Sequence, residues 1–456
     1  MTTALVHEVV GATRDLKLLE SNAGRHLFVV DGSRVFDLDG PTADRIAGVL
    51  DDTASPEYQQ LVDRFTVPRG RFIDPTPLAP PPLRSLSLNV AHGCNLGCRY
   101  CYADEGRFGG KSRMMSAETA RASVDRLFQE AEPKVDLVIG FMGGEPMLNR
   151  RVIEETAEYA SGLAKAEGRR VKFSLTTNGT LLTADDAALF HRHQFSVTVS
   201  IDGPKELNDQ LRPDRRGGGS YDSLTAGLRH LQDSRPGHLS GRITVSPQTG
   251  RLLPVLEHVM ELGFDDVGFA PVLVSPDPNY EFTEERFGTF LEHMIECGQR
   301  AKAALLEEEP FPFTNFETAL HEIHRGTHRP YPCGAGAGYL STNAEGDLYA
   351  CHRLIDDPKF AMGSVREGSS TSDRAALLTR GHVDSISPCR TCWARYLCGG
   401  GCYHEVSHRG RIACDYIRGW LEFCIASYVE LSQTKPEYFK LPKAENDFPD
   451  NQRASL

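Results

Sequence analysis

Three cysteines lie within eight positions of the segment AHGCNLGCRYCYADEG, which spans residues 91–106. Cys94, Cys98 and Cys101 follow the pattern C-x3-C-x2-C. Structural zinc takes four protein ligands in a closed tetrahedron, whereas an iron–sulfur cube takes one thiolate for each iron. Three thiolates on one short loop therefore indicate a cube with one iron left free to bind a small molecule. A zinc knuckle completed by His92 or by a distant residue is the alternative.

Most of the other cysteines fall in the C-terminal part of the chain. Cys333, Gly346 and Cys351 form the pattern C-x12-G-x4-C. A second pattern, C-x2-C-x5-C-x3-C, is formed by Cys389, Cys392, Cys398 and Cys402. Cys414 follows twelve residues after the last of these. These spacings indicate further thiolate-bound metal centres, which are either iron–sulfur clusters or zinc ribbons. Cys297 and Cys424 stand apart, and each is interpreted as a buried core thiol.

Length and composition indicate a globular protein that handles metal in a reducing compartment. The chain has 456 residues, which is enough for more than one domain. Its start, MTTALVHEVVGATRDLKLLE, lacks the layout of a secretion signal, and no apolar run reaches the roughly 18 residues of a membrane span. We therefore expect a cytoplasmic protein whose twelve cysteines serve metal or redox chemistry and not disulfides. The net charge of −12 disfavours a general binder of nucleic acid or of membrane surfaces.

From residue 84 onward, strand patterns alternate with helix patterns. The predicted strands are RSLSLNV, VDLVIGFM, VKFSLTT, FSVTVSI, GRITVS and DVGFAPVL. The predicted helices between them lie near 116–131, 151–168, 183–193, 221–233 and 251–262. Six such units predict an α/β fold in which a parallel sheet curves into a partial (β/α)6 barrel of the TIM type.

Unusual loops follow the first four predicted strands. The three-cysteine loop follows the first strand, MGGEP (142–146) the second, TTNG (176–179) the third and SIDG (200–203) the fourth. In barrels of this kind the chemistry gathers at the C-terminal ends of the strands. The four loops are therefore predicted to meet at one rim.

The remaining patterns divide the chain into four parts. Residues 1–80 are predicted to form a small α+β unit, with a hairpin at Asp31-Gly32 and helices over PTADRIAGVL and EYQQLVDRF. The barrel is assigned to 81–325, a cysteine-rich domain to 326–440 and a flexible tail to 441–456.

The three-cysteine loop, placed after a first barrel strand and followed directly by Tyr102, resembles the radical S-adenosylmethionine (SAM) superfamily. The resemblance implies that Cys94, Cys98 and Cys101 hold a [4Fe-4S] cluster whose free iron binds SAM. An electron from such a cluster cleaves SAM, and the resulting 5′-deoxyadenosyl radical abstracts a hydrogen from carbon. The resemblance also implies SAM-contacting positions, which are Tyr102 at the adenine, Gly143, Gly144, Glu145 and Pro146 at the methionine amine, Ser200 and Asp202 at the ribose, and Asn178 and Arg212 elsewhere on the rim.

The C-terminal cysteines resemble the SPASM extension of radical SAM enzymes, which holds two auxiliary iron–sulfur clusters. The resemblance assigns one cluster to Cys389, Cys392, Cys398 and Cys414. It assigns the other to Cys333, Cys351 and Cys402. Because positions 334–350 contain no cysteine, this second set implies an open iron or a ligand of another type. The expected cofactors are thus SAM and three [4Fe-4S] clusters.

Further resemblances concern the substrate. The segments YLCGGGCYHEV, LYACHRLI and CDYIRGWL look like maturases that install thioethers, above all the quinohemoprotein amine dehydrogenase maturation family. That family joins cysteine sulfur to Asp or Glu carbons of a small subunit. The resemblance predicts a C–S bond-forming enzyme that acts on a precursor peptide or small protein. An electron donor such as flavodoxin or ferredoxin is expected. His352, which directly follows Cys351, is the candidate base, and a histidine that hydrogen-bonds to the cluster is the alternative.

Two other functions stay open. Anaerobic sulfatase maturases, which make formylglycine, usually carry an aspartate where this chain has His352. A non-catalytic zinc or iron–sulfur scaffold, or an electron carrier, is the alternative from another class. The N-terminal unit resembles leader-peptide recognition modules, and a purely structural cap on the barrel is the alternative for it.

Overall fold

The structure is a computed structural model that describes residues 15–66, 72–327 and 329–440. The start of the chain, on which the secretion-signal argument depends, and the predicted tail at 441–456 lie outside the described residues. None of the described helices is both long enough and apolar enough to cross a membrane.

The N-terminal unit is a three-stranded antiparallel sheet with two helices. Its elements are β1 (Leu16–Ser21), β2 (Gly24–Val29), β3 (Arg34–Leu38), α1 (Gly40–Leu50) and α2 (Pro56–Thr66). The sequence patterns predict every one of these except β1. Alternate residues of β2 face opposite sides: Leu27 and Val29 join a small core with the two helices, whereas Phe28 packs edge-on against Trp393 at 5.8 Å. The unit is therefore attached to the C-terminal region through its second face.

A curved sheet forms the centre of the molecule. Its strands are β4 (Ser85–His92), β5 (Arg113–Met114), β6 (Leu137–Gly143), β7 (Val171–Thr177), β8 (Ser196–Ser200), β9 (His238–Val245) and β10 (Asp266–Pro271). The order β4-β6-β7-β8-β9-β10 is parallel throughout, and β5 is a short antiparallel partner of β4. The predicted partial (β/α)6 barrel is confirmed.

Helices cover the outside of this sheet. They are α3 (Ala117–Glu130), α4 (Arg150–Glu167), α5 (Ala184–Arg192), α6 (Lys205–Leu211), α7 (Tyr221–Asp233), α8 (Leu252–Met260), α9 (Glu284–Glu307) and α10 (Thr314–His324). Local signals set their ends: Ser116 caps α3 by accepting from the Thr119 amide, and Thr183 and Asp186 form a capping box on α5. Outward-facing strand residues fill the core beneath the helices, where the rings of Phe141, Phe173 and Phe195 stack.

The C-terminal region continues the same sheet. Its elements are β11 (Tyr339–Thr342), β12 (Asp347–Tyr349), β13 (Ala361–Ser364), β14 (Gly368–Ser369), α11 (Thr371–Gly381), α12 (Arg395–Cys398), α13 (Tyr403–Arg409) and α14 (Cys414–Thr434). Strand β11 pairs in parallel with β4, with Tyr339 beside Ser85 and Thr342 beside Leu88. The hydrogen bonding of the sheet therefore runs without a break across the boundary that the sequence suggests near residue 325.

Candidate active site

The loops after β4 and β6 meet through backbone hydrogen bonds at the C-terminal rim of the barrel. The amide of Gly144 donates to Ala91 O at 2.9 Å, and the amide of Glu145 donates to Gly93 O at 2.9 Å. A Cβ atom on Gly144 would lie 2.3 Å from Gly93 O and 2.8 Å from the Gly106 Cα. The predicted GGEP motif therefore holds the three-cysteine loop at a distance that only glycine permits.

We expect Gly144→Ala to lower the free energy of unfolding by about 1–3 kcal/mol and to weaken SAM binding, because the methyl group forces the two loops apart. Gly162→Ala is the matched control, since Gly162 is exposed on α4 with no atom within 4 Å of the added Cβ. Thermal unfolding and equilibrium SAM binding check both variants. Gly162→Ala should be neutral or stabilising by up to about 1 kcal/mol, and equal behaviour of the two variants would contradict the argument.

The carboxylate of Glu145 is fully buried, and both of its oxygens accept hydrogen bonds from the protein. Oε1 accepts from the Met147 amide at 2.9 Å and from the Thr177 hydroxyl at 2.8 Å, and Oε2 accepts from the Asn178 amide at 2.7 Å. Burial raises the pKa of Glu145. Glu145 thus ties the end of β6 to the end of β7, and its contact with the methionine amine stays a prediction. The neighbouring motif residues shape the same turn: Gly143 has φ +145°, and Pro146 begins a short 3-10 turn.

Asn178 connects the end of β7 to the cysteine loop. Its Nδ2 donates to Asn95 Oδ1 at 2.9 Å and lies 3.7 Å from Cys94 Sγ. The same sulfur accepts from the Leu96 amide at 3.4 Å. The Cys94 sulfur therefore has two donors beside it, an arrangement that stabilises a thiolate or a metal-bound sulfur.

The three thiols of this loop are near neighbours. Burial, with smaller contributions from the charges of Glu145, Cys98 and Cys101, raises the pKa of Cys94 to about 12. Burial also raises the pKa of Cys98 to about 11, against the lowering effect of Arg212. Such thiols stay protonated at neutral pH unless a metal binds them, so iron binding would release protons. Three thiol sulfurs with no other ligand type fit the donor set of an iron–sulfur cube.

Tyr100 is a site residue that the sequence analysis does not single out. Its hydroxyl donates to Asp202 Oδ2 at 2.5 Å and accepts from Arg212 Nη1 at 2.7 Å. The other Asp202 oxygen accepts from the Thr244 amide at 3.0 Å. Asp202 and Arg212 are both buried, so Tyr100 joins the cysteine loop to β8, β9 and the segment after α6. The position of Tyr100 inside the cysteine motif is the only signal in the sequence that points to it.

We expect Tyr100→Phe to lower the free energy of unfolding by about 1–3 kcal/mol, because two buried charged groups each lose a hydrogen-bond partner. Tyr159→Phe is the control, since the Tyr159 hydroxyl donates to Asp125 at 2.6 Å at a more exposed position. Its cost should stay below about 1 kcal/mol. Denaturant unfolding of both variants checks the difference, and an equal loss would show that burial of the bridge does not matter.

The other predicted SAM contacts are arranged differently. Ser200 ends β8 and is half-buried beside Arg242 of β9. Tyr102 points toward the C-terminal region: its ring lies 4.8 Å from the Arg353 guanidinium and 5.1 Å from the His404 ring. Its role at the adenine stays a prediction. His92 is fully buried, and its Nδ1 lies 3.2 Å from Arg113 Nη2 and 3.8 Å from Asp356, so its neighbours are charged side chains and not the thiols.

The C-terminal cysteines form two further groups. In the first, the charges of Cys333 and Cys402 act on Cys351, whose pKa burial raises to about 12. In the second, burial raises the pKa of Cys414 to about 12, with smaller contributions from the charges of three thiols, namely Cys389, Cys392 and Cys398. Cys297 and Cys424 lie apart from these groups, fully buried in α9 and α14.

All twelve cysteines are free thiols. Across the described ranges, no group of three Cys, His, Asp or Glu side chains forms a site for a single metal ion.

His352 lies between the first C-terminal group and the barrel. Its Nδ1 is 3.0 Å from the Tyr339 hydroxyl and 3.7 Å from Cys351 Sγ. Burial, with a contribution from Arg353, lowers the pKa of His352 to about 3, so the ring is neutral at ordinary pH. Arg353 itself donates to Glu405 Oε1 at 2.7 Å and lies 4.0 Å from Cys402 Sγ. Arg353 therefore joins this group to Tyr102 and the three-cysteine loop.

Comparisons with known proteins agree with this arrangement. Residues 88–259 match the model of the radical SAM superfamily. A serine-type anaerobic sulfatase-maturating enzyme of Klebsiella aerogenes is 24% identical over 358 residues, which are 75% of this chain and 85% of that enzyme. A cysteine-type anaerobic sulfatase-maturating enzyme of Clostridium novyi is 24% identical over 378 residues, covering 77% of this chain and 98% of that enzyme.

Solved structures show the same fold. Native anSMEcpe with bound AdoMet superposes with a TM-score of 0.66 at 20% identity, covering 77% of this chain and 100% of that chain. Streptococcus suis SuiB bound to precursor peptide SuiA superposes with a TM-score of 0.51 at 13% identity, covering 88% of this chain and 97% of that chain. Residues 88–259 thus form a radical SAM superfamily domain, in a chain that has the radical SAM α/β fold.

Proposed function

We propose that the protein is a radical SAM enzyme that modifies a side chain of a peptide or protein substrate with the help of three [4Fe-4S] clusters. The observation that carries the proposal is the gathering of ten cysteines into three groups, one of which lies at the C-terminal rim of the barrel. A non-catalytic scaffold would not need a barrel rim built around an incomplete set of thiols.

Each thiol group has its own role in the proposed reaction. Cys94, Cys98 and Cys101 would hold the cluster that binds SAM and, once reduced, supplies the electron for its cleavage. Asn178 and the Leu96 amide orient the Cys94 sulfur, and the packed GGEP turn fixes the loop. The two C-terminal groups would hold auxiliary clusters, and a flavodoxin or ferredoxin would deliver electrons.

For the reaction itself, we propose oxidation of a cysteine or serine side chain to an aldehyde, as in sulfatase maturation. Support comes from the sulfatase-maturating relatives, which cover about three quarters of this chain. His352, rather than an aspartate, follows Cys351 here, so the base would differ. The ring of His352 lies 3.7 Å from the Cys351 sulfur and would contact a substrate group bound at this cluster, but its pKa of about 3 makes it a weak proton acceptor at neutral pH.

The second candidate is C–S bond formation, as in the maturation of quinohemoprotein amine dehydrogenase. One observation favours it: Cys333, Cys351 and Cys402 form a group of three thiols, so a cube held there would keep an iron for a substrate thiolate. A thioether would form when that sulfur bonds to a substrate carbon that has lost a hydrogen atom to the 5′-deoxyadenosyl radical, and the cluster would accept the one electron released.

Mass spectrometry distinguishes these reactions. The anaerobically reconstituted protein is incubated with reductant, SAM and a candidate substrate, and both 5′-deoxyadenosine and the peptide mass are measured. A Cys-x-Pro-x-Arg or Ser-x-Pro-x-Arg peptide that gains an aldehyde supports sulfatase maturation. Loss of two hydrogens from a peptide with retention of its sulfur, and without an aldehyde, supports a thioether. A colourless zinc protein that forms no 5′-deoxyadenosine refutes both.

We also propose that the N-terminal sheet captures part of the substrate. In the described residues β3 is an edge strand that pairs only with β2, so an extended peptide could add to it through main-chain hydrogen bonds.

A further inference from the structure

Arg242, in the interior of the barrel, has no ion-pair partner among the residues that the structure describes. Arg242 lies on β9, where Leu239, Gly241 and Ile243 face the helices and are buried. Because side chains alternate along a strand, Arg242 faces the interior. Its neighbours in register are Ser200 on β8 and Gly268 on β10, neither of which carries a charge.

The surface around Arg242 is polar and remains partly accessible. Inward-facing positions of the neighbouring strands carry small hydroxyl side chains and are half-buried, namely Ser174, Thr176, Thr198, Ser200 and Thr244. These groups are neutral. They can hydrogen-bond a polar ligand, but they do not balance the charge of an arginine.

Two carboxylates lie near enough to act on Arg242 electrostatically, Glu405 and Asp266. Each already has another partner: Glu405 accepts from Arg353 at 2.7 Å, and Asp266 lies 2.8 Å from His238 Nε2. No ion pair or hydrogen bond joins the Arg242 side chain to any residue in the described ranges. A guanidinium held in a half-buried space without a partner carries a desolvation cost that a bound anion would offset.

The charged neighbours of Arg242 already have other partners. Arg353, the cation that acts on Arg242, donates to Glu405, and Asp266 lies beside His238. Burial and the charge of Arg353 lower the pKa of Arg242 to about 10, so the side chain is still charged at neutral pH. Among the described residues, the charge of Arg242 is therefore not balanced by an ion pair, which favours binding of an anion.

Building on the proposed function, we propose that Arg242 binds a carboxylate of the polypeptide substrate, so that the enzyme selects segments with an acidic group near the modified residue. The carboxylate of SAM is a poorer fit. The cation beside the three-cysteine loop is Arg212, which acts on Cys98, whereas the charged neighbours of Arg242 include Arg353 and Glu405 of the C-terminal region. Fork-like, bidentate pairing with a carboxylate is the geometry that arginine favours.

Three pools of ten-residue peptides test the proposal. All have a central cysteine and flanking Gly, Ala and Ser. The first pool has one Glu at each flanking position in turn and an amidated C terminus. The second has Gln in place of Glu, and the third has Gln with a free C-terminal carboxylate. Peptides retained by the full-length, anaerobically reconstituted protein with SAM are quantified by mass spectrometry.

We expect the wild-type protein to retain the best Glu peptides at least about tenfold more strongly than their Gln counterparts. Arg242→Gln should remove this preference and Arg242→Lys should keep part of it. Arg229→Gln, an exposed change on α7, should behave as the wild type. Preference for the third pool would support the carboxylate site and assign its ligand to a chain terminus. Equal retention of the three pools by the wild type overturns the proposal.

Two further measurements separate the causes of failure. If Arg242→Gln loses SAM binding in equilibrium dialysis but keeps the preference for Glu peptides, the arginine serves the cofactor and the proposal is overturned. If the wild type forms no 5′-deoxyadenosine at all, the proposed function fails. If it forms 5′-deoxyadenosine but does not distinguish Glu from Gln peptides, only the inference about Arg242 fails.

Discussion

Cys98→Ala is expected to lower 5′-deoxyadenosine formation by about a thousandfold or more, because the three thiols of the rim loop act as a unit and no neighbouring thiol can replace the lost one. The neighbouring sulfurs, those of Cys94 and Cys101, belong to the same group. Iron and sulfide should each fall by about four per chain, the content of one cube. Anaerobic reconstitution followed by metal analysis and chromatography of the SAM products measures both.

Cys297→Ala is the matched control for this experiment. Cys297 is fully buried in α9 among apolar side chains, outside the three thiol groups. Its replacement should cost about 1–2 kcal/mol of stability but leave the iron content and SAM cleavage intact. If Cys98→Ala retained its iron and cleaved SAM as the control does, the rim loop would not be the catalytic centre.

The barrel and its rim are predictable from sequence because their signals are local. The strand VKFSLTT coincides with β7, in which alternate residues such as Phe173 and Leu175 are buried against helices. Parallel strands bring their C-terminal ends to one edge, so the loops after β4, β6, β7 and β8 had to meet. That is why the loops that carry Glu145, Asn178 and Asp202 could be predicted to meet without coordinates, whereas the roles of these residues come from the resemblance to the radical SAM superfamily.

What the sequence does not reveal depends on contacts between distant segments. The pairing of β11 with β4 joins residues about 254 positions apart, for instance Ser87 and Ser341. No local pattern encodes such a register. The bridge from Tyr100 to Asp202 and Arg212 likewise appears only once three segments are folded together.

The assignment of Cys414 rather than Cys424 to its group comes from the resemblance and not from spacing. Both cysteines belong to one helical pattern, and their ligand roles stay predictions. In the fold, Cys414 begins α14 beside Cys398, whereas Cys424 lies ten residues further along the helix, fully buried. The orientation of α14 determines which of the two thiols lies near the other cysteines of the group, and only the tertiary structure shows that orientation.

Cys402→Ala is expected to reduce substrate modification by about a hundredfold or more while reducing substrate-free SAM cleavage far less. The reason is that Cys402 belongs to a different thiol group from the three-cysteine loop, because it lies with Cys333 and Cys351. Arg353 lies between the two groups, 4.0 Å from Cys402 Sγ and 4.8 Å from the Tyr102 ring. Removing this sulfur should cost about four irons per chain, as with the rim loop, but from a different cluster. Product analysis beside 5′-deoxyadenosine analysis separates the two losses.

Cys424→Ala serves as the control here, because it removes a thiol of the C-terminal region that belongs to none of the three thiol groups. It should retain all iron and full modification with a modest loss of stability. Equal modification by Cys402→Ala and Cys424→Ala would mean that the first C-terminal group is structural. A parallel loss of SAM cleavage and of modification in Cys402→Ala would mean that this group feeds electrons to the rim cluster instead of handling substrate. Only loss of modification with continuing SAM cleavage places the substrate between the rim and this group, on the side of the opening where Arg242 lies.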